Sequence, residues 1–236
     1  MTTTKPLAFF DIDGTFIRSS LLIELCRNLV RHGVFPALVD RELEEPRVAW
    51  EERHRNYYPY IMAAVEVFYR YLAGCRVEHV AYVGELTAKE QHHRVYVYTR
   101  GLIERLRATH ILVAISGSPE AVVLPFVKLW NFDHVYASTA EIIDGIYNGK
   151  RLVKPTEDGK QHFVAKLLEA IPHATLTGSM GVGDTESDIP FLEMVETPIA
   201  FNPNETLGIV AEERGWRIIV ERKDAIWTNP HLLRER

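Results

Sequence analysis

Two aspartates separated by one residue close a short apolar run, Leu7-Ala8-Phe9-Phe10-Asp11-Ile12-Asp13-Gly14-Thr15. The run reads as a buried strand, with Gly14-Thr15 as its tight exit. Residues two apart on an extended chain share a face, which sets the two carboxylates about 6–7 Å apart. Like charges at that spacing are unfavourable unless a cation lies between or above them. A hard divalent ion such as Mg²⁺, itself holding a phosphate, meets that need. The segment points to phosphoryl transfer.

Three further pieces carry complementary chemistry. Ile115-Ser116-Gly117-Ser118-Pro119-Glu120 reads as a strand running into a helix. Free N–H groups around Gly117 and Ser118 would suit an anion there, and Pro119 suits a first helical turn. Asp158-Gly159-Lys160 opens another helix and supplies a mobile point charge; Lys160 is preferred over Lys154 and Lys166 because it follows a glycine at a helix start. Gly181-Val182-Gly183-Asp184-Thr185-Glu186-Ser187-Asp188 is a second apolar strand ending in acid. Ser116 and Asp188 would also serve as helix-capping residues, a role that does not exclude a site.

These pieces need a scaffold that gathers strand ends. Strand patterns fall at 7–12, 110–116, 133–138, 179–183, 197–201 and 217–220. Helical patterns fall between them at 119–130, 160–171, 188–195 and 205–214. Such alternation indicates βαβ units and a doubly wound, Rossmann-like parallel sheet. Open sheets of this kind bind ligands beyond the carboxyl ends of their strands. A hairpin with two turns, Asp144-Gly145 and Asn148-Gly149, is expected over 140–153, after the third strand.

Residues 16–98 have a different texture, with no strand pattern. Ser19-Ser20 would cap a helix from Leu21, a second helix would cover 47–73, and a third 76–92. This predicts a small all-helical domain over 16–98, inserted into a core formed by 1–15 and 99–236. The aromatic stripe Tyr57, Tyr58, Tyr60, Phe68, Tyr69 and Tyr71 reads as its core. His92-His93 reads as solvated, and no histidine spacing suggests a metal site.

The bulk numbers agree with a globular enzyme. Hydrophobic residues make up 47% and charged residues 25% of the 236 positions, which argues against disorder. A formal charge of −5 argues against a nucleic-acid backbone as partner. Cys26 and Cys75 lie too far apart for a metal motif and read as free thiols in a reducing compartment. No apolar run approaches the length of a membrane span, and Met1–Pro6 has no signal-peptide pattern. A cytoplasmic protein is expected.

In this order, the four pieces make the chain similar to the haloacid dehalogenase-like phosphohydrolases. Ser116-Gly117-Ser118-Pro119, Glu141-x-x-Asp144-Gly145, Gly183-Asp184-Thr185-Glu186-Ser187-Asp188 and Pro198-Ile199-Ala200-Phe201-Asn202-Pro203 resemble the phosphoserine-phosphatase-like branch, whose helical cap follows the first strand. The resemblance implies a Mg²⁺-dependent phosphatase of a small phosphorylated metabolite. It implies Asp11 as the nucleophile forming an aspartyl-phosphate, and Asp13 as general acid, then base. Mg²⁺ would be held by Asp11, Asp184 and the Asp13 carbonyl. Ser116 and nearby N–H groups, with Gly117, would hold phosphoryl oxygens. Lys160 would neutralise charge, while Thr15 and Asp188 would support the site. The glutamate with which phosphoserine phosphatases grip the substrate amine is missing from Phe16-Ile17-Arg18-Ser19-Ser20; the first acid is Glu24. A phosphotransferase or mutase would use the same intermediate, and a phospho-ligand-binding relative would share the fold.

Overall fold

Leu7, Phe9, Ile111, Val113 and Ile115 face one side of a sheet, while Ala8, Phe10, Leu112 and Ala114 face the other. Both sides are buried, which is why these runs are continuously apolar instead of alternating. The computed structural model describes residues 4–229. Its strands are β1 (Lys5–Asp11), β2 (Ile111–Pro119), β3 (His134–Ile143), β4 (Ile146–Val153), β5 (Ala174–Gly183), β6 (Thr197–Phe201), β7 (Arg217–Arg222) and β8 (Ala225–Thr228). They form one sheet in the order β4-β3-β2-β1-β5-β6-β7-β8. The six inner strands are parallel, and β4 and β8 pair antiparallel at the edges.

The chain winds outward from β1 through β2 and β3 on one side, and through β5, β6 and β7 on the other. The expected doubly wound, Rossmann-like sheet is therefore present, and its switch point lies at the carboxyl end of β1, where Asp11 stands. Parallel pairing sets Asp11 opposite Ile115 of β2 and Phe10 opposite Val182 of β5. The register thus brings the Ser116 and Asp184 segments alongside the Asp11 segment.

Between β1 and β2 run α1 (Leu21–Arg31), α2 (Leu38–Glu51), α3 (Tyr57–Leu72), α4 (Val77–Gln91) and α5 (Val97–Leu106). The later helices are α6 (Glu120–Leu129), α7 (Pro155–Asp158), α8 (Gln161–Ala170), α9 (Ile189–Leu192) and α10 (Glu205–Glu213). The helix expected over 47–73 is two helices. The break at residues 52–56 carries Glu52, Arg53, His54, Arg55 and Asn56, all exposed, with Arg53 at φ +61°. No apolar group there rewards continuing the helix. α2 begins earlier than expected and holds Pro46 inside it. Sequence patterning also missed α5 and the short edge strand β8. The expected helix over 188–195 shortens to a 3₁₀ turn, Glu186–Asp188, followed by α9.

The hairpin has one turn. β3 is its first arm, Asp144-Gly145 makes the reversal with positive φ at both residues, and Asn148-Gly149 lies within β4. The aromatic stripe divides: Tyr60, Phe68 and Tyr69 are buried, whereas Tyr58 is exposed. Cys26 and Cys75 are free thiols. Among the described residues, no helix is long and apolar enough to cross a membrane.

The inserted helices share one apolar cluster with α6 and a face of the sheet. α4 crosses α6 closely at Gly84. A Cβ added to Gly84 would sit 2.0 Å from the Ala121 carbonyl oxygen, which is backbone and cannot swing away. Gly84→Ala is expected to cost about 2 kcal/mol through this overlap. Gly101→Ala on α5 would meet only the flexible Arg105 guanidinium and should stabilise by up to about 1 kcal/mol. Urea unfolding of the two variants checks the contrast; equal midpoints would contradict the close crossing.

Candidate active site

Lys160 stands at the N-cap of α8, just after the left-handed turn of Gly159. Its Nζ donates to Asp11 Oδ1 and to Asp188 Oδ1, both at 2.5 Å. The side chain is only 2% exposed. Sequence reasoning expected a mobile point charge; burial between two carboxylates makes it a fixed one. Burial alone would lower its pKa, but Asp11 and Asp188 together outweigh that and raise it. The ammonium is held charged.

Asp11, Asp184 and Asp188 bring one carboxylate oxygen each within 4.8 Å of one another, the one such acidic group among the described residues. Asp188 is fully engaged. Its Oδ1 accepts from Lys160, and its Oδ2 accepts from the N–H groups of Asp184 and Thr185 at 3.0 Å. Asp184 Oδ1 accepts from the Thr15 hydroxyl at 3.3 Å. Its Oδ2 lies over Gly14, where a Cβ would approach to 2.1 Å and where φ is +83°. Only glycine fits that turn. Asp11 Oδ2 is buried with no hydrogen-bond partner.

Three carboxylates against one ammonium leave two negative charges uncompensated when all are ionised. The protein alone responds by holding protons. Burial raises the Asp11 pKa to about 7, with Lys160 opposing and Asp188 and Asp13 adding to the rise. Burial, then Asp11 and Asp188, raises Asp184 well above the ordinary carboxylate range. An all-oxygen donor set, an unpartnered buried oxygen and two missing positive charges fit a Mg²⁺-like ion.

Asp13 sits apart from that cluster, among neutral donors. The Leu21 N–H donates to Oδ1 at 2.6 Å, the Ser118 hydroxyl to Oδ1 at 3.0 Å, and the Ser116 hydroxyl to Oδ2 at 2.7 Å. Asp13 therefore caps α1. Ser20 occupies the N-cap position, but its hydroxyl makes no capping hydrogen bond, contrary to the expected serine cap. Burial raises the Asp13 pKa, while Ser116, the Leu21 N–H and Ser118 all pull it down. Desolvation outweighs those donors.

The phosphate segment differs from expectation in detail. Ser116 is fully buried and bonds to Asp13, and its Oγ accepts the Ser118 N–H at 3.0 Å. That N–H is therefore not free for an anion. The Gly117 carbonyl accepts from Ser138. Two neighbours escaped sequence reasoning as site side chains. Ser118 was legible as the second serine of a Ser-x-Ser strand end, two residues on and so on the same face as Ser116. Tyr57, at the start of α3, is 36% exposed, with its hydroxyl end beside Ser20; desolvation there, then Asp13, raises its pKa. In the sequence it stands in the aromatic stripe, which reads as helical core. Glu24, the first acid after the motif, is committed to Arg27 and Gln91.

A model of the haloacid dehalogenase-like hydrolase family matches residues 8–193. Phosphoserine phosphatase SerB1 of Mycobacterium tuberculosis is 25% identical over 215 residues, covering 89% of this chain and 69% of that one. A histidinol-phosphatase of Neisseria meningitidis is 25% identical over 224 residues, covering 91% of this chain and 98% of that one. A crystal structure of a protein of unknown function from Bordetella pertussis superposes with a TM-score of 0.74 at 24% identity, covering 92% and 98% of the two chains.

The acidic cluster makes stability depend on pH. A folded Asp11 pKa near 7 against an ordinary value of 3.8 means that the native state binds the extra proton between those limits. Stability from this group is fully present below the lower value and lost as pH rises through about 7. In chelator, the wild type should lose more thermal stability than Asp11→Asn between pH 5 and pH 8, and Mg²⁺ should restore it at pH 8. Identical pH profiles for the two proteins would contradict the assignment.

Proposed function

The chain belongs to the haloacid dehalogenase-like hydrolases, and from that premise we propose that this phosphatase is a Mg²⁺-dependent phosphomonoester hydrolase working through an aspartyl-phosphate on Asp11. The observation that carries the reading is the unequal setting of two carboxylates two residues apart. Asp11 has one oxygen on a fixed ammonium and the other buried and unpartnered. Asp13 is held by neutral donors, with its pKa raised. A nucleophile needs the first setting and a proton carrier the second.

Asp11 attacks phosphorus, and the bond from phosphorus to the ester oxygen breaks. That oxygen leaves with the proton of Asp13. Water then attacks the phosphoryl group and gives its proton to Asp13, and the bond between Asp11 and phosphorus breaks. Two unit charges 4 Å apart repel by about 4 kcal/mol at an effective dielectric near 20. Lys160 offsets that cost between Asp11 and the incoming dianion. Asp11 and Asp184, with the Asp13 carbonyl, would hold Mg²⁺. When bound, the ion supplies further neutralisation and polarises the phosphoryl oxygens. When Asp13 is protonated and donates to Ser116, the Ser116 hydrogen is free for a phosphoryl oxygen, next to Gly117. Thr15 steadies Asp184, and Asp188 steadies Lys160.

In this reading residues 1–15 and 99–236 form the catalytic core and 16–98 the cap that selects the substrate. Two relatives named for phosphoserine and histidinol phosphate support a small metabolite. Phosphoserine itself is disfavoured, because Glu24 is occupied and Ser19 and Ser20 stand nearer the motif. The purified protein, screened on phosphorylated metabolites, should release phosphate only with Mg²⁺. Turnover should fall by more than about 1,000-fold in Asp11→Asn. Phosphate released equally without Mg²⁺, or by Asp11→Asn, would overturn the reading. Phosphate passed to an added alcohol instead of water would redirect it to transfer.

A further inference from the structure

We propose that Ser118 is a positioning residue for proton transfer: it fixes the rotation of the Asp13 carboxyl, so that Oδ1 stays on the Leu21 N–H and Oδ2 is the oxygen that gives and takes the proton. The inference rests on Asp13 being the general acid. Ser118 is buried, 3% exposed, and its hydroxyl has two partners. The Leu22 N–H donates to it at 3.0 Å, and it donates to Asp13 Oδ1 at 3.0 Å. The Leu22 N–H takes one lone pair of Ser118, whose hydrogen reaches the ionised Asp13. Oδ1 also receives the Leu21 N–H at 2.6 Å, a group that only donates. A backbone N–H cannot turn into an acceptor, so a proton on Oδ1 would meet the Leu21 hydrogen.

Oδ2 has a different neighbour. Its partner is the Ser116 hydroxyl at 2.7 Å. A hydroxyl donates to an ionised carboxylate and accepts from a protonated one. Oδ2 can therefore carry a proton without losing its hydrogen bond, and Oδ1 cannot. The departing ester oxygen takes its proton from Oδ2, and Oδ2 recovers one from the attacking water. The two N–H groups belong to the first turn of α1, so the same hydroxyl that orients the acid also ties the strand end of β2 to that helix.

The test compares an alkyl phosphate, glycerol phosphate, with p-nitrophenyl phosphate, whose leaving group departs without a proton. In Ser118→Ala, kcat/KM for glycerol phosphate should fall about tenfold while that for p-nitrophenyl phosphate stays within about twofold. Asp13→Asn serves as reference and should show the same bias more strongly. If Ser118→Ala melts below the assay temperature, Ser118→Cys, a near-isosteric weak donor, should show the bias in the same direction. Equal losses on both substrates, or no loss, alongside a clear bias in Asp13→Asn would overturn the role of Ser118 alone. An Asp13→Asn variant without bias would overturn the reading of Asp13 on which it rests.

Discussion

The buried ammonium of Lys160, clamped between Asp11 and Asp188, is the contact on which the rest of the site depends. Two carboxylates taken out of water repel each other and resist ionisation. One cation between them makes their burial tolerable and fixes their spacing. It also leaves the cluster short of positive charge once Asp184 is counted. That unmet charge is what the proposed Mg²⁺ would supply. A surface lysine would give neither the fixed geometry nor the unmet charge.

The fold serves that clamp by register. β1 lies at the switch point, with β2 and β5 on either side, so three segments distant in sequence end side by side. Backbone groups complete what side chains begin. The N–H groups of Asp184 and Thr185 hold Asp188, and those of Leu21 and Leu22 hold Asp13 and Ser118. The helices that follow β1 therefore join the site through hydrogen bonds as well as through the apolar cluster they share with α6. Asp13 stands between the chemistry and that first helix, acting as its cap.

Much of this was legible in the sequence because the chemistry sits where apolar runs stop. Asp11, Ser116 and Asp184 each end or follow a strand whose pattern was plain, and Lys160 follows a glycine at a helix start. The sheet was legible for the same reason: runs buried on both faces contrast sharply with polar strand ends. What escaped depends on partners far along the chain. The Ser116 and Ser118 bonds to Asp13 span more than a hundred residues, and local patterning carries no trace of them. Lys160 looked mobile because its two carboxylates lie elsewhere in sequence. The break between α2 and α3 escaped because apolar spacing resumes after it in phase with a helix. β8, four residues long, was too short to stand out.

The central claim is that the carboxylate on the Lys160 clamp is the group that bonds to phosphorus. Its most direct test is to quench a turnover mixture in acid and map the covalently bound phosphoryl group by peptide mass. Label on the peptide carrying Asp11, lost in Asp11→Asn and accumulating when water attack is slowed in Asp13→Asn, is the predicted result. Phosphate released with no covalent label, or label on another residue, would contradict it.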